Sequence, residues 1–139
     1  MTKSTILVAG GDLRYGYTAR ALARTHEVWA VGFTRQMLPF EEVRLAETAA
    51  DGLPQCDVLV LPMPVSEDGV LVNAPYSRQH LSLSGFIPLL KQNAIVLGGK
   101  FGKAAELFRD AGITTADYLA REELSTRNAV PTAEGAVQI

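Results

Sequence analysis

The chain has 139 residues, 47% of them hydrophobic and 20% charged, with thirteen basic against fifteen acidic side chains and a net charge of −2. That length fits one domain, able to bury roughly 68% of its unfolded surface without disulfide staples, and the balance excludes a disordered chain. No apolar run nears the ~18 residues of a spanning helix, and no basic stripe interleaved with aromatics points to nucleic acid. Met1-Thr2-Lys3-Ser4 leads into a strand rather than a signal peptide, so a cytoplasmic protein is expected. The single cysteine, Cys56, has no metal-type companions and reads as a small buried hydrophobe.

In chain order, Ile6-Leu7-Val8-Ala9 is an apolar run of strand length that stops at Gly10-Gly11. Asp12 is placed to cap a helix whose apolar positions Tyr15, Ala19, Leu22 and Ala23 follow the 3.6 period to about Thr25. Val28 to Phe33 is continuously apolar, the pattern of a parallel strand covered on both faces. Residues 34–52 carry a weaker pattern, with a short strand near Val43-Leu45. Asp57 to Leu61 is a further buried strand. Pro62 and Pro64 then deny both helix and ladder, so 62–69 is a loop. Val70 to Pro75 reads as a short extended segment. Within Ser77 to Gln92 the helical stretch centres on Phe86, Leu89 and Leu90, its start delayed by Gly85 and Pro88. Ala94 to Leu97 is a strand ended by Gly98-Gly99-Lys100. A helix from about Lys103 to Asp110 closes at Gly112. Ile113 to Tyr118 forms another strand, and Arg121 to Arg127 a short helix. The alternation predicts a doubly wound, mostly parallel α/β domain of flavodoxin or Rossmann type, in three layers.

Residues 132–139 read as the first turns of a helix with Thr132 as N-cap, ending on apolar residues without a cap. The expectation is a domain over 1–131, with 132–139 starting a helix that leads to a further domain.

The Gly10-Gly11 turn invites a nucleotide reading, but G-x-G-x-x-G is absent and no acid closes the second strand, so no cofactor is expected on these residues. Asp57 stands at the wrong end of its strand for a receiver module, and no G-x-S-x-G elbow supports a hydrolase built from Ser66, His80 and Asp12. His26 and His80 read as ordinary surface or capping residues. What remains is a convergence at one sheet border. The amides of Gly11 and Gly99, the hydroxyls of Ser66 and Thr132, and the cations of Arg14 and Lys100 form a set suited to carboxylates. Asp12 and Glu134 are candidate proton acceptors, each with a structural alternative as a helix N-cap or first-turn acid. No metal site is expected.

Gly10-Gly11-Asp12-x-Arg14, Leu61-Pro62-x-Pro64-Val65-Ser66-x-Asp68-Gly69, Asn73-Ala74-Pro75, Gly98-Gly99 and Asn128-Ala129-Val130-Pro131-Thr132-Ala133-Glu134-Gly135-Ala136 together resemble the N-terminal domain of the dipicolinate synthase A-subunit, nearly throughout the chain and in order. The resemblance implies an NADP-dependent oxidoreductase of spore-forming bacteria, laid out like 2-hydroxyacid dehydrogenases. Its NADP site lies on a second Rossmann domain, absent here. With the dipicolinate synthase B-subunit it makes pyridine-2,6-dicarboxylate in the mother cell during sporulation. A fragment of this kind is expected to hold half an active site and not to turn over alone. The competing readings are a small-anion or nucleotide sensor on the same fold, and a docking module for the B-subunit or for a second copy through Ala133, Ala136, Val137 and Ile139.

Overall fold

The computed structural model describes residues 4–75, 77 and 80–117. Six strands form one sheet: β1 (Thr5–Ala9), β2 (Glu27–Val31), β3 (Val43–Leu45), β4 (Val58–Val60), β5 (Ile95–Gly98) and β6 (Thr114–Asp117). Every neighbouring pair is parallel, in the order β3-β2-β1-β4-β5-β6. Of the two orders that the sequence left open this is the Rossmann one, with its reversal between β1 and β4.

The continuous apolar strands serve two cores because successive side chains take opposite faces. From β1, Ile6 and Val8 join Val28, Ala30 and Val43 beneath α1 (Leu13–Leu22), whose Ala19 is fully buried. Leu7 and Ala9 join the larger core on the other face with Leu59 and Val96. There lie α2 (Ala49–Gly52), α3 (Leu83–Phe86) and α4 (Ala104–Asp110), contributing Leu83, Phe86, Ala104 and Phe108. Both α2 and α3 are single turns continued by 3-10 turns, Leu53–Gln55 and Ile87–Leu89, each with a proline near its start. Proline's missing N–H is harmless there, whereas it would break a longer helix. The second strand ends two residues before the expected Phe33, which leaves the sheet and buries itself in the α1-side core. The helices expected at 121–127 and 132–139 lie outside the described residues.

At the amino border Asp57 ties three strands together. Its carboxylate accepts from the Thr5 amide and from Lys91 Nζ, both at 2.9 Å, while its carbonyl accepts from the Ile95 amide. The Thr5 amide, and then Lys91, hold the Asp57 carboxyl below its ordinary 3.8. A carboxyl depressed on folding stabilises the fold above its unfolded pKa, and that contribution is lost as pH falls through the folded value. Asp57→Asn is therefore expected to lower the urea midpoint at about pH 7, with the gap from wild type closing below about pH 3. A gap that persists in acid would mean that Asp57 acts through packing rather than charge.

Candidate functional site

In open α/β sheets ligands bind outside the carboxyl ends of the strands, where the strand order reverses. Here that point lies between the turns after β1 and β4, and the chain has closed it from within. The Gly10 amide donates to the Val31 carbonyl and the Gly11 amide to the Asn73 carbonyl, each at 2.9 Å. Gly10, at φ +76°, lies so close to Val72, Asn73 and Ala74 that no side chain fits between them.

Asp12 caps α1 as expected, its carboxylate accepting from the Arg14 amide at 3.0 Å. The same carboxylate receives the Arg14 guanidinium, with Nε at 3.1 Å from both oxygens. That guanidinium, foremost among the causes, holds the Asp12 carboxyl below its usual value. A helix N-terminus attracts anions, and this one carries an anion of its own. A pyrophosphate brought to the turn would meet a carboxylate and spent amides. Capping is the role the geometry shows for Asp12, and a carboxylate held in its charged form is a weaker base than a free one.

Residues 62–75 and 80–82 fold over the carboxyl border. The Met63 amide donates to the Tyr15 hydroxyl at 2.9 Å, joining this loop to α1. The Val65 amide donates to the Gly99 carbonyl, the Asn73 amide to the Val65 carbonyl, and the Val72 amide to the Leu81 carbonyl. Leu71 and Ser82 form an isolated antiparallel bridge, which is the extended segment expected near 70–75. Ser66 has internal work as well. Its hydroxyl donates to Asp68 Oδ1 at 3.0 Å and accepts from the Gly69 amide. Asp68 also accepts from the Val70 and Leu71 amides, and the Leu71 amide leads the causes that hold its carboxyl low.

The expected anion set thus divides. Gly11 and Ser66 are engaged inside the protein, Arg14 is paired with Asp12, and Gly99 offers its carbonyl to Val65. Lys100 is exposed at the carboxyl border with φ +52°, a left-handed conformation costing roughly 1–2 kcal/mol for a side chain with a Cβ. Thr132 and Glu134 lie outside the described residues.

A cavity of about 460 Å³ opens beside the closed turn, within the ~300–1,000 Å³ of small-molecule sites. Val72 and Leu81 give it an apolar floor, Asn73, Ser77 and His80 supply hydrogen-bonding groups, and Glu67 and Asp68 stand on its wall. His80, expected to be an ordinary surface residue, is part of this lining. It carried no signal, because the cavity forms where Val72 pairs back on Leu81, the neighbour of His80, and no local residue pattern marks that fold. His26 instead sits at the end of α1, with Nδ1 3.3 Å from the Leu22 carbonyl. Among the described residues no three His, Cys, Asp or Glu gather to hold a metal ion, and no helix is long and apolar enough to cross a membrane.

The dipicolinate synthase A chain from Bacillus subtilis superposes with a TM-score of 0.75 at 20% identity, over 94% of this chain and 45% of that one. The dipicolinate synthase A-subunit from Bacillus halodurans gives 0.72 at 19% identity, over 98% and 48%. This chain therefore spans a little under half the length of either protein. An NADPH-dependent glyoxylate/hydroxypyruvate reductase from Sinorhizobium meliloti, solved with NADP and sulfate, gives 0.53 at 19%, over 80% and 36%. No curated protein sequence matches significantly. The family model for the N-terminal domain of the dipicolinate synthase A-subunit matches residues 5–119, which takes in all six strands and the loops of the carboxyl border. The chain belongs to this family of dipicolinate synthase A-subunit, N-terminal domains.

Proposed function

We propose that this domain is the substrate-holding half of a dipicolinate synthase A-subunit, an oxidoreductase whose nucleotide cofactor binds elsewhere in the full protein. The observation that carries the reading is the filled α1 N-terminus. A Rossmann sheet whose switch-point amides are spent on Asn73 and on Asp12 keeps the ligand-binding border of its fold but has no place for a pyrophosphate. That leaves the border to a smaller ligand. The family's product is a flat ring carrying two carboxylates, which asks for an apolar floor, hydrogen-bond donors and cations. Val72 and Leu81 provide the floor, Asn73, Ser77 and His80 the polar lining, and Lys100 a cation at the same border. Arg14 brings a second one, shared with Asp12.

The work of these residues is orientation. Holding a ring in one pose replaces a bimolecular search with a fixed geometry, a contribution worth several kcal/mol of barrier when alignment is good. Use of NADP, action with a B-subunit, contact with a second copy through the terminal helix, and a cytoplasmic place in the mother cell complete the proposal.

Calorimetric titration with pyridine-2,6-dicarboxylate and separately with NADPH tests it. The dicarboxylate is expected to bind, with affinity lowered about tenfold by Lys100→Ala, equivalent to about 1.4 kcal/mol. NADPH is expected to give no heat. Binding of NADPH by this chain would overturn the assignment of the Gly10-Gly11 turn and move the cofactor site into this domain.

A further inference from the structure

The cavity at the carboxyl border carries two carboxylates on its own wall, Glu67 and Asp68, and they are not alike. Asp68 is spent. Its Oδ1 accepts from the Ser66 hydroxyl at 3.0 Å, from the Val70 amide at 2.8 Å and from the Leu71 amide at 2.9 Å. Those bonds, with the one from the Gly69 amide to the Ser66 hydroxyl at 2.9 Å, hold the chain on both sides of Glu67. Gly69, at φ +80°, is in turn seated so that a built Cβ would stand 3.1 Å from Lys103 Cβ. Glu67 itself is exposed and makes no hydrogen bond or ion pair among the described residues. A well-bonded turn therefore presents one carboxylate to which the protein donates nothing. Asn73, in the same lining, adds a second acceptor. Its Nδ2 donates to the Pro64 carbonyl at 3.5 Å, whereas its Oδ1 accepts from no described residue.

Given the dicarboxylate site proposed above, on which this rests, we infer that Glu67 is its specificity-determining residue, selecting a ring that carries an N–H or O–H donor over one that only accepts. A carboxylate accepts hydrogen bonds and donates none, so an acceptor placed opposite forfeits the bond and brings like charges together. Pyridine-2,6-dicarboxylate is a ligand of that kind. Its ring nitrogen offers a lone pair, its carboxylates offer only acceptors, and it has no hydrogen to give Glu67. A saturated ring with the same two carboxylates carries hydrogen on its nitrogen and, at neutral pH, a positive charge there too. Such a ring brings a carboxylate for the exposed Lys100 cation and a donor for Glu67. A site that sets out an acceptor for a ligand's N–H turns away the analogue lacking it, because the site's own group is then left unpaired. The aromatic ring is consequently the more loosely held of the two, which favours its release.

The test is calorimetric titration of wild type and Glu67→Gln with cis-piperidine-2,6-dicarboxylate and, separately, with pyridine-2,6-dicarboxylate. Wild type is expected to bind both, the piperidine about tenfold more tightly, the worth of a hydrogen bond to a charged group. Glu67→Gln is expected to act with opposite signs. Affinity for the piperidine falls about tenfold as the charged acceptor is lost, and affinity for the pyridine rises about threefold as the repulsion goes. A merely structural role would move both ligands together. A shift of both in one direction, or of neither, would overturn the role of Glu67 and leave the dicarboxylate site standing, as would tighter binding of the pyridine than of the piperidine by wild type. Absence of heat with either ligand would remove the site itself, and the role of Glu67 with it.

Discussion

Gly10→Ala is expected to destabilise the domain by about 3 kcal/mol, combining the ~1–2 kcal/mol of a left-handed backbone with overpacking of ~1–3 kcal/mol. At φ +76° the new Cβ would stand 2.8 Å from a Val72 methyl, 3.0 Å from the Asn73 carbonyl oxygen and 3.2 Å from Ala74 Cβ. The oxygen is backbone, so it cannot swing aside as a side chain would. Gly112 supplies the control. It has the same φ of +76° but nothing within 4 Å of a built Cβ, so Gly112→Ala should cost only about 1 kcal/mol. Urea midpoints of the two variants separate backbone strain from contact. Equal losses would show that residues 72–74 are not seated on the β1 turn in solution. Because those residues close the Gly11 amide and line the 460 Å³ cavity, Gly10→Ala should also weaken dicarboxylate binding more than Gly112→Ala does.

Phe108→Ala is expected to be the more damaging change, at about 4 kcal/mol, within the range for removing a buried aromatic ring. Phe108 is fully buried at the centre of the α4 face and meets Phe101 edge-on, with ring centroids 6.1 Å apart at 89°. The pair holds α4 and the turn after β5 together, so the loss reaches the loop that presents Lys100. Against a total stability of ~5–15 kcal/mol, the variant should melt many degrees below wild type and lose cooperativity. A loss under about 1.5 kcal/mol would mean that the neighbours collapse into the space, and that this core is less tightly packed than its burial implies.

β1, β2, β4 and β5 are legible because continuous apolar runs of four or five residues leave few other options, three-residue β3 is marked by Val43-Arg44-Leu45, and β6 is marked by two β-branched threonines after Ile113. The Asp12 cap is legible too, being a local rule fulfilled by a local hydrogen bond. α2 is not. Ala49–Gly52 is a single turn, too short to show a 3.6 period, and its marker is the Thr48 to Asp51 box, in which the Asp51 carboxylate accepts from the Thr48 amide. Strand order is not readable, since the same alternation serves both doubly wound topologies, and only the packing of the β3-to-β4 crossover chooses between them. The glycines and prolines locate the carboxyl border correctly, but they do not reveal its wiring. The partner of the Gly11 amide is a carbonyl at residue 73, and the partner of the Met63 amide is a hydroxyl at residue 15. Neither pairing leaves a trace in local spacing. Ser66 shows the opposite failure: its loop suggests a free hydroxyl for a ligand, whereas Asp68, two residues on, has already claimed it.

The borders of the sheet have a consequence for how the molecule behaves in company. β3 is three residues long with Arg44 at its middle, and the Arg35 guanidinium donates to the carbonyls of Leu38, Phe40 and Val43 at its entrance. β6 has four residues, begins with two threonines and ends in Asp117. Short edges dressed with charge offer little template for another strand, which is how native sheets resist joining edge to edge. The domain should therefore stay free of fibrillar growth at concentrations where a longer, bare edge would propagate it. Any stable assembly it enters should be made by laying side chains against its faces rather than by lengthening its sheet.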